Sequence, residues 1–376
     1  MNDEATRMAA PLRTLVRRLF LDRQVEFWLS EIDPTLALGE IRARIVDVAA
    51  ETPDVKTFVL RPSRRWSGFT AGQYVTLEVE IDGVRKRRCY SISSAPGFFD
   101  QGARPMSARN AGRSFAITVK RVEGGLVSGW LHDHARIGDV VTIGPAAGDF
   151  TLSEATPAKL LFVSGGSGIT PIFSILVDLA ERGRLKDAVL LYYARTRAEV
   201  IFHDHLVALA ERHPGFRPLL CFTRGGDSTE RFSEESLRAL VPDFAERHTF
   251  LCGPPALMAE AERVWGRNGL NDRLSRERFV PPTVASVAGA RGARVTLARS
   301  GRTFETGGSG TTLLEEAERA GAKPAYGCRM GVCHTCKCRK TSGAVQNVLT
   351  GEISSEPDED IQLCISVARS DVELSL

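Results

Sequence analysis

Four cysteines near the C-terminus have a spacing that is typical of metal ligands. Cys328, Cys333, Cys336 and Cys364 form the pattern C-x4-C-x2-C, followed by a distant fourth cysteine. Proteins that hold a [2Fe–2S] cluster use this spacing, because a tight loop wraps the two irons and a remote strand supplies the last thiolate. A four-cysteine zinc site and reduced core cysteines are the alternatives. Zinc ribbons usually pair two short cysteine knuckles, whereas Cys364 stands alone, so the spacing predicts a [2Fe–2S] cluster.

A glycine-rich turn in the middle of the chain is a second candidate binding site. Residues 164–171 read Ser-Gly-Gly-Ser-Gly-Ile-Thr-Pro, after an apolar stretch at 159–163 and before a helical pattern at 172–181. A strand, a glycine turn and a helix in this order hold a diphosphate on backbone N–H groups at the helix N-terminus. Strand and helix patterns then alternate as far as residue 268, which predicts a parallel α/β domain. The predicted nucleotide-binding residues of the turn are Gly165, Gly166, Gly168 and Thr170.

Three arginines follow the next two predicted strands and bear on the choice of nucleotide. Arg195 and Arg197 come directly after a strand pattern at 188–193, and Arg224 follows the next strand pattern. NAD sites usually place Asp or Glu at the end of the second strand, whereas an arginine accommodates the 2′-phosphate of NADP. The first acid here is Glu199, so the arginines predict NADPH, with NADH as the alternative. In the other interpretation they are ordinary surface arginines.

The segments on either side of this domain predict two further folds. Between residues 39 and 153, six short β patterns, one of them at Cys89–Ile92, are separated by turns such as Asp82-Gly83 and predict a small antiparallel barrel. After residue 293, a hairpin, a helix, the cysteine loop and further strands indicate an α+β domain. The predicted organisation is therefore multidomain. It comprises a helical segment at 1–38, the barrel at 39–153, the α/β domain at 154–280, a linker at 281–292 and the cysteine-rich domain at 293–376.

The N-terminal segment has a basic amphipathic pattern. Apolar residues recur at helical spacing between residues 11 and 32, with arginines between them. Such a helix packs against the neighbouring domain or lies on a membrane surface. Packing is the preferred interpretation, because amphipathic helices usually face the core of their own protein.

Composition restricts the class of protein and its location. A chain of 376 residues with 43% hydrophobic and 25% charged residues is typical of a globular protein with two or three domains. The net charge of +3 is too small to indicate a nucleic-acid partner. No apolar run reaches the roughly 18 residues of a membrane span, and the first ten residues lack the apolar core of a signal peptide. The scattered cysteines favour a reducing compartment, so a cytoplasmic location is predicted.

Several motifs resemble the ferredoxin–NADP reductase superfamily. Arg88-Cys89-Tyr90-Ser91 resembles its R-x-Y-S flavin motif, and Gly125-Leu126-Val127-Ser128 resembles its second flavin-phosphate loop. Cys252-Gly253-Pro254-Pro255 resembles the C-G-P-P turn beside the nicotinamide, and Glu277-Arg278-Phe279 resembles the end of the reductase module in relatives with a fused ferredoxin. Residues 326–336 resemble the cluster loop of plant-type ferredoxins, which implies a β-grasp fold for the last domain.

The resemblance implies a role for each matched residue. Arg88 would hold the flavin diphosphate together with Ser128 and its neighbouring amides. Tyr90 would pack on the flavin, and Ser91 would hydrogen-bond near its reactive nitrogen. The implied catalytic residues are Ser91, Cys252, Glu277 and Phe279. The implied cofactor-binding residues are Arg88, Tyr90, Ser91, Gly125, Leu126, Val127, Ser128, Cys252, Gly253, Pro254 and Phe279, together with the glycine turn and the arginines above.

The same resemblance implies a function in electron transfer. NADPH would reduce a flavin, FAD rather than FMN, and the electrons would pass through the [2Fe–2S] cluster to a separate oxygenase, hydroxylase or fatty-acid desaturase. A membrane-bound partner would give the protein a peripheral membrane location. The alternative is a self-contained NAD(P)H oxidoreductase that acts on small acceptors such as quinones or nitro compounds.

An acidic run lies just before Cys364. Residues 351–360 contain five acids and no base. One interpretation is a solvated turn, and the other is a surface that steers a basic partner, or the basic run at 85–88, toward the cluster. The second interpretation predicts that electron delivery slows as salt rises.

Overall fold

A computed structural model describes residues 31, 33–37, 39–97, 114–153, 157, 159–224, 231–279, 292–307, 310–327, 329–331 and 334–376. The predicted N-terminal helix lies outside these residues except for Glu31, which is helical. The predicted linker lies outside them except for Gly292, and so do Cys328 and Cys333.

Six antiparallel strands form the first unit. They are β1 (Ile41–Thr52), β2 (Val55–Pro62), β3 (Tyr74–Ile81), β4 (Val84–Ser91), β5 (Phe115–Lys120) and β6 (Val140–Ile143). Their order in the sheet is β4-β3-β6-β1-β2-β5. Ile92, directly after β4, forms an antiparallel bridge with Ile117 of β5, and the Ser93 N–H donates to the Ala116 carbonyl at 2.8 Å. The outer strands therefore meet, and the predicted antiparallel barrel is confirmed.

Two features of the barrel differ from the prediction. Strand β4 begins at Val84 rather than at Cys89, because its arginines lie opposite acids of β3, with Arg87 facing Glu78. Opposite charges on neighbouring strands stabilise the pairing. Helix α1 (Leu126–Asp133) is not predicted from the sequence. Two helical turns are too short for a periodic pattern to stand out.

The second unit is a parallel sheet covered by helices. Its strands are β7 (Lys159–Gly165), β8 (Asp187–Ala194), β9 (Phe216–Phe222), β10 (His248–Cys252) and β11 (Leu274–Glu277), and its helices are α2 (Ile169–Glu181), α3 (His203–Arg212), α4 (Glu234–Leu240) and α5 (Pro255–Arg267). All strand pairs are parallel in the order β11-β10-β7-β8-β9. The predicted α/β domain is confirmed. The sequence does not predict strand β11, because Leu-Ser-Arg-Glu has no apolar run.

The barrel and the parallel sheet share one buried apolar core. Val55, Ala71, Ala95 and Phe150 of the barrel belong to the same cluster as the inner residues of α2. The buried Ser174 hydroxyl on α2 donates to the Ser94 carbonyl at 2.7 Å and accepts the Gly72 N–H at 3.3 Å. Helix α2 therefore joins the nucleotide-binding turn to the barrel.

The third unit is an α+β domain, as predicted. Its elements are β12 (Arg294–Leu297), β13 (Arg302–Glu305), α6 (Leu313–Arg319), β14 (Lys337–Ser342), β15 (Val345–Asn347), β16 (Ile353–Ser354), β17 (Glu359–Gln362), β18 (Ser366–Ala368) and β19 (Val372–Leu374). The strands form one sheet in the order β13-β12-β19-β14-β17 and a smaller one in the order β16-β15-β18. Strands β12 and β19 are parallel neighbours. Helix α6 packs over the short turn at Leu363–Ile365 that carries Cys364.

Candidate redox, nucleotide and cluster sites

The glycine turn leads directly from β7 into α2. Gly166 has a left-handed backbone, with φ of +53°. A Cβ atom at Gly168 would lie 2.2 Å from the carbonyl oxygen of Cys252, so this close approach requires glycine. The Thr170 hydroxyl donates to the Ser167 carbonyl at 3.0 Å and holds the turn. The structure therefore places all four predicted turn residues at the N-terminus of α2, where backbone N–H groups bind anions.

A cavity of about 500 Å³ opens beside this turn. Gly165 and Gly166 line one side, and Pro254 with Leu257 lines another. A Cβ atom at Gly253 would lie 2.8 Å from Leu257 Cδ2, and one at Gly165 would lie 2.6 Å from Pro254 Cδ. The two glycine-containing turns thus pack closely together because neither carries a side chain at the contact.

Two of the three predicted arginines line the cavity. Arg195 and Arg224 are adjacent, and the Arg224 N–H donates to the Arg195 carbonyl at 2.8 Å. Arg197 is exposed and is absent from the described lining of the cavity. Arg231 and Lys120 also line it. Neither of these two could be predicted from the sequence, because Arg231 does not directly follow a predicted strand and Lys120 comes from the barrel.

Among the described residues, acidic side chains form ion pairs with only two of the four basic residues that line the cavity. Glu199 accepts from Arg195 at 2.6 Å, and Asp54 of the barrel lies 3.9 Å from Arg195 and 3.1 Å from Lys120. Among the described residues, no carboxylate pairs with Arg224 or Arg231. Within the part of the chain that the structure describes, these two guanidinium groups are therefore the ones left open to an anion in the cavity.

The residues of the predicted flavin site lie along β4 and α1. Arg87 pairs with Glu78, and Arg85 pairs with Glu40 and Glu78. Arg88 donates only to the neighbouring Arg87 carbonyl within the described part of the chain. Tyr90 packs against the barrel core, and burial raises the pKa of its phenol.

Helix α1 begins at the second predicted flavin loop. Gly125 is the residue before the helix, and Leu126, Val127 and Ser128 form its first turn, whose N–H groups have no acceptor within a helix. The Ser128 hydroxyl is used within the loop, since it accepts the Val122 N–H at 3.2 Å and donates to the Gly125 carbonyl at 3.3 Å. The available amides and the Arg88 guanidinium fit a flavin diphosphate.

Three predicted catalytic residues meet where β10 and β11 end. The Ser91 hydroxyl of the barrel donates to a Glu277 carboxylate oxygen at 3.0 Å, and Glu277 lies beside Cys252 in the strand pairing. Desolvation raises the pKa of Glu277 to about 8, and the Ser91 hydroxyl partly opposes this. Burial, followed by the charge of Glu277, raises the pKa of the Cys252 thiol well above its usual value. Phe279 follows two residues later and packs against the shared core.

The described part of the cysteine loop brings two predicted ligands together. Cys336 and Cys364 are both buried. The Gly331 N–H donates to Cys364 Sγ at 3.3 Å, and the Leu363 N–H donates to the Cys336 carbonyl at 3.2 Å. No group of three metal-ligating side chains is present in the described residues, which exclude Cys328 and Cys333. Two buried thiols, one of which accepts a backbone N–H, fit a [2Fe–2S] cluster.

The loop around these cysteines is held by tight backbone geometry and by α6. Gly331 has φ of +79°, and a Cβ atom there would lie 2.7 Å from Ile365 Cδ1. The Arg329 guanidinium stacks 4.0 Å from the Tyr326 ring centre and pairs with Glu318 of α6 at 2.6 Å. The Gln362 amide donates to the Gly331 carbonyl at 2.7 Å.

The chain matches three protein families in succession. They are described as the oxidoreductase FAD-binding domain over residues 42–152, the oxidoreductase NAD-binding domain over 162–263 and the 2Fe-2S iron-sulfur cluster binding domain over 295–369. The fold and site thus define a flavin- and NAD-binding oxidoreductase with an iron–sulfur domain.

Relatives of similar length share this arrangement. An NADPH oxidoreductase of Mycobacterium tuberculosis is 34% identical over 97% of this chain and 92% of its own length. A glycine betaine monooxygenase reductase subunit of Chromohalobacter salexigens is 32% identical over 89% of this chain and 95% of its own. The solved structure of phthalate dioxygenase reductase covers 90% of this chain and 98% of its own, with a TM-score of 0.59 and 25% identity.

The chain therefore belongs to the ferredoxin–NADP reductase superfamily, in the group with a C-terminal [2Fe–2S] domain. It is an electron-transfer oxidoreductase. Within the described residues, no helix combines the length and apolar character needed to cross a membrane.

Proposed function

We propose that this protein takes electrons from NADPH and delivers them one at a time to a partner oxygenase. The contact between Ser91 and Glu277 beside Cys252 carries this proposal. It joins the barrel to the parallel sheet at the residues to which the family resemblance assigns the flavin and the nicotinamide. A flavin, when bound, supplies the link between a hydride donor and a one-electron acceptor.

The chain's own groups bind and orient the reactants. Arg88 and the first amides of α1 hold the flavin diphosphate, and Tyr90 supports the ring system. The turn at Gly165–Gly168 holds the nucleotide diphosphate, and Cys252 lies where the nicotinamide approaches. At neutral pH Glu277 is mostly protonated, because its pKa is raised to about 8, so the pair with Ser91 adds little negative charge to the site. Cys328, Cys333, Cys336 and Cys364 bind the cluster.

Recognition of the 2′-phosphate falls mainly to Arg224 and Arg231. Arg195 shares its charge with Glu199 and Asp54, and Arg197 lies outside the described lining of the cavity. This differs from the pair Arg195 and Arg197 that the sequence favours. A guanidinium without an acid partner is the stronger phosphate ligand, because it has no competing ion pair to break.

Steady-state kinetics with ferricyanide as a small acceptor test this assignment. The double variant R224A/R231A should raise the KM for NADPH by one to several decades, because each charged hydrogen bond contributes about 1.5–3 kcal/mol. The KM for NADH should change little. Arg197→Ala is the matched control and should leave both values nearly unchanged. A wild-type protein that prefers NADH, or an R197A variant as impaired as the double variant, would contradict the assignment.

The proposal that the partner is an oxygenase is supported by similar proteins that serve as reductase subunits. These include reductase subunits of a glycine betaine monooxygenase and of a stachydrine N-demethylase. Capture of the full chain from its host, with mass spectrometry of the bound proteins, should recover an oxygenase component.

A second experiment compares electron acceptors. Turnover with cytochrome c should be faster than turnover with quinones or nitro compounds. Fast turnover of those small molecules without a protein acceptor would instead support a self-contained oxidoreductase. The cytoplasmic location and a membrane-bound partner stay predictions.

A further inference from the structure

Tyr192 lies behind the wall of the nucleotide cavity. It belongs to β8, an inner strand of the parallel sheet, and the residue is 0% exposed. Its neighbour Tyr193 lines the cavity, whereas Tyr192 is absent from the described lining. The Tyr192 ring packs in the apolar core with the inner residues of α2. It is therefore placed to affect the cavity without contacting what the cavity binds.

The Tyr192 hydroxyl joins two separate walls of that cavity. It donates to the Gly166 carbonyl at 3.0 Å and accepts the Ile201 N–H at 3.2 Å. Gly166 and Ile201 both line the cavity. Gly166 belongs to the glycine turn, and Ile201 ends the segment that carries Arg195 and Glu199. One buried phenol thus connects the turn for the diphosphate with the segment near the ribose.

The bond from Tyr192 helps to hold one conformation of the glycine turn, together with the Ile169 N–H, which also donates to the Gly166 carbonyl. Glycines at 165, 166 and 168 leave the backbone of this turn free to adopt conformations that other residues disfavour. In a planar trans peptide the carbonyl and the following N–H point in opposite directions. Because the phenol holds the Gly166 carbonyl, the Ser167 N–H must point away from Tyr192. That orientation suits a turn that binds an anion with its N–H groups.

The phenol remains a donor across the physiological range. Burial raises the pKa of Tyr192, and the bond from the Ile201 N–H opposes this only in part. The hydroxyl therefore keeps its proton and its bond to Gly166 at every pH at which the protein would work.

We propose that Tyr192 is a positioning residue for the nucleotide, which sets the glycine turn and the segment ending at Ile201 in one arrangement. The inference rests on the proposed function, since it takes this cavity as the nucleotide site. The glycine turn would hold the diphosphate, which NADPH and NADH share, and Arg195 on the other wall is already paired with Glu199, so the effect of Tyr192 should be similar for the two nucleotides. This distinguishes it from the effect of Arg224 and Arg231.

The test is Tyr192→Phe in the full-length protein with its cofactors, which removes the hydroxyl and keeps the ring. With ferricyanide as acceptor, the KM should rise about fivefold for NADPH and for NADH alike, the usual effect of one lost hydrogen bond. The kcat at saturating nucleotide should stay near the wild-type value. Tyr74→Phe, which removes the hydroxyl of a buried barrel tyrosine, is the matched control and should leave both KM values unchanged.

The outcomes separate the inference from the proposed function. A wild-type protein that neither binds NADP⁺ in calorimetry nor oxidises NADPH overturns both. A wild-type protein that does so, with a Y192F variant of unchanged KM, overturns only the role of Tyr192. A third result also overturns the role of Tyr192: a Y192F variant that melts at a lower temperature and binds less flavin, while its flavin-containing fraction keeps the wild-type KM. The hydroxyl is then merely structural. If Y192F does not fold, hydrogen exchange of the Ile201 backbone N–H in the wild-type protein provides the test. Slow exchange of this N–H without nucleotide supports the inference, and fast exchange overturns it.

Discussion

Two hydrophobic cores of this protein differ in the units that supply their residues. One lies at the junction of the barrel and the parallel sheet, and the other lies within the iron–sulfur domain. The first combines Val55 and Phe150 of the barrel with residues of α2 and of the parallel sheet. The described members of the second all lie between Ala293 and Leu376. A core shared by two units couples their stability, whereas a core of its own lets a unit unfold by itself. The flavin and nucleotide sites are therefore expected to be lost together, and the cluster site separately.

Two core substitutions should show this difference most strongly. Phe150→Ala in the shared core should cost about 3–5 kcal/mol, and Leu313→Ala in the iron–sulfur domain about 2–5 kcal/mol. We expect F150A to lose flavin and nucleotide binding at the same temperature. L313A should lose the visible absorption of the cluster and keep NADPH oxidation with ferricyanide. Thermal unfolding followed at both chromophores measures this, and flavin loss from L313A at the temperature of cluster loss would contradict the comparison.

A smaller effect concerns the carboxyl that bridges the barrel and the sheet. Desolvation raises the pKa of Glu277 from 4.5 to about 8, so between these pH values the folded protein binds a proton that the unfolded chain releases. The free energy of unfolding should therefore fall as pH rises from about 4.5 to about 8, and level off above.

Glu277→Gln should remove this slope. Melting temperatures from pH 5 to pH 9 measure it. The difference between wild type and variant should change by roughly 10 °C, since a pKa raised from 4.5 to about 8 corresponds to about 4 kcal/mol over this range and about 1 kcal/mol shifts the melting temperature by about 2–4 °C in domains of 150–250 residues. The exposed Glu211 of α3 gives the matched control, Glu211→Gln, which should keep the wild-type slope. A variant E277Q with an unchanged slope would show that the carboxyl titrates normally.

The smallest effect is expected at the acidic run before Cys364. The structure places three of its acids next to bases of β14: Asp360 lies 2.9 Å from Lys337, Glu359 lies 3.4 Å from Lys340, and Asp358 lies 3.8 Å from Arg339. Among the described residues, Glu352 and Glu356 have no basic partner. The run is therefore much less negative than its sequence indicates, which weakens any steering of a basic partner.

The double variant E352Q/E356Q tests what steering remains. Electron delivery to cytochrome c at low salt should fall by about twofold, and its dependence on ionic strength should flatten. Reduction of ferricyanide by the same variant is the internal control and should not change. If the variant keeps the wild-type rate and salt dependence, the run is ordinary surface.

The sequence predicts the local features of this molecule well and the long-range contacts poorly. The strand, glycine turn and helix that begin at Lys159 are adjacent in the chain, so their pattern can be read directly. The bond between Ser91 and Glu277 joins residues 186 positions apart, and β11, which places Glu277, has no apolar pattern. Arg197 is next but one to Arg195 in sequence, yet it is absent from the described lining of the cavity. From the sequence, only the family resemblance connects Glu277 with the redox site.

The most direct test of the central claim is electron delivery by Cys336→Ser compared with Cys338→Ser. Both cysteines are buried in the same segment, but only Cys336 is a predicted cluster ligand. We predict that C336S loses the cluster and nearly all of its NADPH-dependent cytochrome c reduction, because the path from flavin to protein acceptor is broken. It should keep ferricyanide reduction, and C338S should keep both activities. Full cytochrome c reduction by a cluster-free C336S protein would contradict the account.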